Sequence, residues 1–168
     1  MKIKLADLTA RATAERSAKS APHFSPSLFY RLLNDPFGVW CDYHAPKEAA
    51  VDETSRYDEL RMQRGLEYER QWIKSQYPYA VTVKPPFGRK ALGETLKLML
   101  NGEDAIQAPQ LWLLKEEVLG RGDLIVRDNS HASDLGPYHY RVKEIKLSST
   151  LQDYHALQAA LYLNNGYE

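Results

Sequence analysis

Two apolar runs, Val118 to Val126 and Tyr138 to Lys146, constrain this chain most, together with the helical pattern Leu151 to Tyr162 that follows them. The two runs form a hairpin-like pair, with the polar stretch Asp128 to Pro137 between them as the hairpin loop. Charges interrupt the runs at Asp123, Glu144 and Lys146. Side chains alternate between the two faces of a strand, so Glu144 and Lys146 share a side while Ile145 enters the opposite layer. When the runs pair as neighbours, Asp123 comes beside that couple. Two carboxylates and one amine then converge at one end of a sheet, an arrangement that suits a hard divalent cation with a water beside it. Charges that protect an exposed sheet edge explain a lone Asp and a Glu-x-Lys at least as well.

The following helix separates the two readings. Gln158 and Tyr162 are four residues apart and share a face, and the short link Leu147 to Leu151 ties them to the second strand. Upstream, within a helical pattern from Tyr57 to Tyr77, lies Arg64-Gly-Leu-Glu-Tyr-Glu69. Glycine inside a helix costs about 1 kcal/mol relative to alanine, so Gly65 predicts close approach of another backbone. Glu69 sits one turn later on the same side, while Glu67 reads as a solvated helical charge.

The order of a strand with Gly120-x-x-Asp123, a strand with Glu144-x-Lys146 and a helix with Gln158-x-x-x-Tyr162 resembles the RecB-like branch of the PD-(D/E)XK nuclease superfamily, which includes CRISPR-associated RecB-like exonucleases and phage exonucleases. Gly65-x-x-x-Glu69 resembles the first-helix motif of the same superfamily, whose glutamate helps to hold metal. Many members place a histidine just before it; here that position is Tyr68, a poor ligand for magnesium or manganese. The segment Phe24 to Tyr43 resembles the amino-terminal helix, proline step and aromatic follow-up of these nucleases.

The resemblance implies an α/β fold, a restriction-endonuclease-like three-layer core with a central mixed sheet flanked by helices. Such cores continue into another strand after the Gln/Tyr helix, so the expectation at Gly166-Tyr-Glu168 is a core lacking its last strand, either as a fragment of a longer protein or as a minimal version with an open sheet edge that favours homo-oligomers. The implied domain spans 24–168, behind a helical amino-terminal extension over 1–23. The implied activity is hydrolysis of DNA phosphodiester bonds by an exonuclease with Mg²⁺ or Mn²⁺. Metal would be held by Asp123, Glu144, the backbone carbonyl of Ile145 and Glu69. Lys146 would position or deprotonate the attacking water, and Gln158 and Tyr162 would orient Lys146 or contact the DNA backbone. The implied partners are DNA and a helicase, recombination or CRISPR protein. Two alternatives stay open: a catalytically silent nuclease-fold module that grips DNA or a helicase partner, and a structural domain that binds no metal.

Composition adds exclusions. The chain has 168 residues, enough for one domain with a real core, and 43% apolar and 26% charged residues are ordinary for a soluble protein. No apolar run approaches the roughly 20 residues of a membrane span, and the amino terminus lacks an apolar signal core, so the expectation is a cytoplasmic protein without a membrane partner. Cys41 is the single cysteine, which excludes an internal disulfide and the four-cysteine iron-sulfur cluster of some RecB-like nucleases. It reads as a small buried apolar residue. Formal net charge is zero, so a basic footprint must be local. Arg11 to Lys19 reads either as such a footprint or as a solvated helix. Lys84-Pro-Pro-Phe-Gly-Arg-Lys90 is a loop by its Pro and Gly content and places three cations around an aromatic ring, which makes Lys84, Arg89 and Lys90 nucleic-acid contact candidates. Arg121 and Arg141 are further phosphate candidates, or solubilising strand charges. Arg121-Gly122-Asp123 also spells an integrin-binding tripeptide, a reading that does not suit a strand of an intracellular protein.

Elsewhere, Ser25-Pro26 predicts a helix start with Leu28, Phe29, Leu32 and Leu33 on its apolar face, and Asn34-Asp-Pro36 a stop before a second apolar face at Phe37, Val39 and Trp40. In the long helix Leu60, Leu66, Trp72 and Ile73 are the expected core contacts. A short strand is expected over Ala80 to Val83, a helix over Leu92 to Leu100, and one strand over Ala105 to Leu114 with an edge or bulge at Pro109.

Overall fold

The computed structural model describes residues 24–49, 54–113, 118–148 and 150. The first two helices show how local chemistry sets boundaries. In α1 (Pro26–Asn34) the Ser25 hydroxyl accepts from Leu28 N at 3.2 Å and proline occupies the first turn, where its missing N–H costs nothing. Asp35 then ends α1 and starts α2 (Pro36–His44), its carboxylate accepting from Gly38 N at 2.8 Å. A Cβ on Gly38 would lie 1.9 Å from Asp35 Oδ2, so a larger residue there would displace the capping carboxylate. Only Val39 of the second apolar face is buried; Leu33, Phe37 and Trp40 are exposed, with Phe37 stacked on Trp40 at 6.2 Å. Cys41 is half-buried rather than buried. A 3₁₀ turn (Lys47–Ala49) follows.

Helix α3 (Arg56–Gln76) is capped by Ser55, and Asp58 and Glu59 in its first turn suit the positive end of the helix dipole. Of its expected core contacts, Ile73 is buried and Trp72 partly so, but Leu60 and Leu66 are 40% and 52% exposed. Among the described residues, Ile73 and Trp72 near the carboxyl-terminal end of α3 pack on the sheet, and helical spacing alone does not reveal how far along a helix its packing partner extends. The expected close approach at Gly65 is not found: an added Cβ would meet no described atom within 4 Å.

The strands are β1 (Val81–Thr82), β2 (Ala105–Gln107), β3 (Gln110–Leu113), β4 (Val118–Arg121), β5 (Leu124–Asp128) and β6 (His139–Lys143), with α4 (Arg89–Leu100) between β1 and β2. They form a mixed four-stranded sheet in the order β1-β2-β5-β6 and a separate two-stranded ribbon, β3-β4. Within the large sheet β1 runs parallel to β2, and the other neighbours are antiparallel. The two runs expected as single strands, Ala105 to Leu114 and Val118 to Val126, are each broken in two. The breaks face each other. Ala108 takes a positive φ of 56° ahead of Pro109, while Ala108 N donates to Asp123 O at 2.9 Å and Gly122 N to Pro109 O at 3.0 Å. The hairpin thus keeps one register through a corner: Gln107 faces Leu124 on one side and Gln110 faces Arg121 on the other. Pro109 cannot donate to a ladder, which is why the bend falls there.

Alternation along the strands divides the core. Ala105 and Leu124 pack with Ile73 of α3, joined by Trp72, Tyr77, Val126 and Ile145. Ile106 and Ile125 point to the opposite face and pack with Ala91, Leu98 and Met99 of α4, joined by Tyr140 and Val142. Helices therefore cover both faces of the mixed sheet. Thr95 on α4 links helix to corner: its hydroxyl donates to Ala91 O and accepts from Gln110 N, both at 3.0 Å. Helix α4 begins three residues before the expected Leu92, at Arg89, and stops as expected at Asn101-Gly102, with Gly102 at a φ of 73°. No helix among the described residues is long and apolar enough to cross a membrane.

Candidate metal and nucleic-acid site

The corner that bends the hairpin also sets the position of Asp123, between β4 and the first residue of β5. Register carries the rest. Leu124 faces Lys143, so the next pair outward is Asp123 and Glu144. The ladder ends at Lys143, and the chain is then held by a side chain instead: Ile145 N donates to Asp123 Oδ2 at 2.6 Å. Ile145 turns into the layer of α3 as expected, and Glu144 and Lys146 share the other side, with Lys146 Nζ 2.7 Å from Glu144 Oε1. The Glu144 side chain is 9% exposed and the Lys146 side chain 34%, so the amine is the part of the couple nearer to solvent.

Glu69 joins this group from α3. Its carboxyl is held above the ordinary value by burial and then by repulsion from Asp123, against the pull of Arg121 and Lys146. Asp123 is likewise raised by burial, opposed by the Ile145 N–H and by Lys146 and Arg121. Burial raises Glu144 too, with repulsion from Asp123 and Glu69 added, and the Lys146 hydrogen bond opposes it. Three half-buried or buried carboxylates therefore feel one another, and Lys146 and Arg121, with Arg70 at Glu69, partly offset them. The long-helix motif and the two strand motifs converge, although 75 residues of sequence separate Glu69 from Glu144 by their numbers.

The donor chemistry fits a hard divalent cation, since carboxylate and carbonyl oxygens are its preferred ligands and like-charged buried carboxylates are relieved by one. The spacing is looser than that of a formed centre: among the described residues no group of three or more His, Cys, Asp or Glu is arranged to hold a metal ion. Glu67, in contrast, accepts from Gln71 Nε2 at 2.7 Å on the exposed side of α3, the solvated charge expected of it. Tyr68 is 39% exposed.

Gln158 and Tyr162 lie outside the described residues, as do Arg11 to Lys19. Lys84, Arg89 and Lys90 are exposed; Lys84 belongs to the loop after β1, while Arg89 and Lys90 form the first turn of α4. Arg121, a phosphate candidate from its strand position, also makes a contact that sequence spacing did not reveal. Its guanidinium stands over the Phe87 ring, 5.3 Å from the centroid, and its charge acts on both Glu69 and Asp123. Arg141, in the middle of β6, pairs with Asp128, Nε to Oδ2 at 2.5 Å. The tripeptide Arg121-Gly122-Asp123 forms the strand corner, with Gly122 buried, and not the exposed loop tip that an integrin ligand needs.

Comparison with protein-family models, with curated proteins and with solved structures returned no match to this chain.

Proposed function

We propose that this chain is a divalent-metal-dependent DNA nuclease, an exonuclease that hydrolyses phosphodiester bonds, built on a restriction-endonuclease-like core of the RecB-like kind and acting in the cytoplasm. The observation that carries the reading is the convergence of Asp123, Glu144, Lys146 and Glu69 where β5 begins and β6 ends. Edge-protecting charges would not require a helix carboxylate to be half-buried against them.

Asp123, Glu144 and the Ile145 carbonyl, with Glu69, would hold Mg²⁺ or Mn²⁺. Such an ion, when bound, lowers the pKa of a coordinated water and neutralises charge on the scissile phosphate. Lys146 sits one hydrogen bond from Glu144 and retains solvent access, so its ammonium can orient the attacking water and meet the negative charge that builds on the phosphate. Arg121 brings a second cation to the same place. The implied protein partner is a helicase, recombination or CRISPR protein.

One observation favours a second reading, a module of the same fold that binds DNA without cutting it. The described carboxylates are not assembled as a ligand cluster, and Lys146 is committed to Glu144. DNA binding without metal-dependent cleavage selects the module, and thermal melting with Mn²⁺ tests the metal site. The nuclease reading expects stabilisation by Mn²⁺ that disappears in Asp123→Asn; no stabilisation of the wild type rejects a metal site here.

A further inference from the structure

Phe87 stands on the loop between β1 and α4 and is 65% exposed, although it belongs to a residue type that folding normally buries. Its surroundings are cationic. Lys84 precedes it in the loop, Arg89 and Lys90 follow it, and none of the three is buried. From across the fold, at the end of β4, Arg121 lays its guanidinium over the ring at 5.3 Å. Arg121 is also the residue whose charge reaches Glu69 and Asp123, so the ring and the carboxylate group are neighbours of one side chain.

We propose that Phe87, braced by Arg121, is a stacking platform for an unpaired base, and that the strand entering the carboxylate site is single-stranded DNA. The proposal rests on the nuclease reading for what happens beyond the platform. An aromatic face flanked by cations is the recurring solution for binding single strands without sequence preference: the ring takes a base, and the cations follow the phosphates on either side. A base inside a duplex is already stacked on its neighbours and offers no free face. Arg121 serves both ends, holding the ring by a cation–π contact and offering a positive charge where a phosphate must approach the carboxylates.

The test uses the full chain in EDTA, so that binding is read without cleavage, with fluorescently labelled oligothymidylate and a blunt duplex of equal length. The wild type is expected to bind the single strand more tightly. Phe87→Ala should weaken single-strand binding by about 10-fold or more, the size of one lost base stack, while changing duplex binding by less than about 2-fold. Phe87→Leu, which keeps apolar bulk without an aromatic face, should lose nearly as much. Lys84→Ala should weaken both ligands alike and flatten the salt dependence. Because Phe87 is exposed, both variants should melt with the wild type. Single-strand affinity unchanged in Phe87→Leu, equal losses for both ligands in Phe87→Ala, or a wild type that prefers the duplex would each overturn the platform. A parallel assay with Mn²⁺ keeps the two ideas apart: cleavage that survives Phe87→Leu with unchanged binding rejects the platform alone, and selective single-strand binding without cleavage rejects the nuclease alone.

Discussion

Asp123 both supports the end of the sheet and belongs to the proposed metal site, and two substitutions separate those roles. Its Oδ2 accepts from Ile145 N at 2.6 Å just beyond the β5-β6 ladder, so Asp123→Ala leaves that partly buried N–H without its acceptor. Loss of a charge-assisted bond costs about 1.5–3 kcal/mol. Part of this is returned, because the carboxylate itself is disfavoured by burial and repels Glu69 and Glu144. The net loss should be about 1–2 kcal/mol, which for a chain of this length lowers Tm by about 2–8 °C. Asp123→Asn keeps an acceptor oxygen facing Ile145 and removes the charge, so the weaker bond and the relieved repulsion oppose each other; its Tm should stay within about 2 °C of wild type. Thermal unfolding followed by circular dichroism in metal-free buffer with chelator reads both. If Ala melts with the wild type, the Ile145 bond does not hold the chain after β6. If Asn falls as far as Ala, the charge contributes to stability and the repulsion argument is refuted.

Three further outcomes follow from other parts of the fold. Thr95→Val strips the buried Gln110 N–H of its acceptor at the strand corner and should cost about 1–3 kcal/mol in urea unfolding, whereas Thr95→Ser, which keeps the hydroxyl, should cost less. Asp128 is held below the ordinary carboxyl value, first by the Ser130 side chain and then by the Ser130 N–H, with Arg141 adding to this. Its stabilising contribution is therefore full above the unfolded-state value and lost as pH falls through the lower folded value, and Asp128→Asn should flatten that acid limb of the stability curve; an unchanged limb would contradict the assignment. Glu69→Gln should reduce metal-dependent cleavage by about 10–100-fold, while Glu67→Gln, altering a solvated charge on the same helix, should stay near wild type.

The strand pairing that builds the site was legible because hairpin register follows from alternation and a polar loop, and a side-chain period of two allows little slack. Glu144 and Lys146 on one side with Ile145 on the other came from that rule alone. The corner at Ala108-Pro109 was only half legible: proline announced an interruption, but that the facing strand would break at Gly122-Asp123 depends on the partner and not on local sequence. Leu60 and Leu66 mislead for a related reason, since helical periodicity marks a face without saying where along the helix the sheet ends. The Phe87–Arg121 contact joins a loop to a strand and leaves no periodic trace. Gln158 and Tyr162 remain as sequence expectations.

Whether these carboxylates and Lys146 cut DNA is read by incubating end-labelled linear DNA and covalently closed circular DNA with the wild type and with Lys146→Ala, in Mg²⁺ or Mn²⁺. Loss of the linear substrate, an intact circle, dependence on the metal, and no cleavage by the variant are the expected results. Wild type and variant equally inert on both substrates would contradict the nuclease reading.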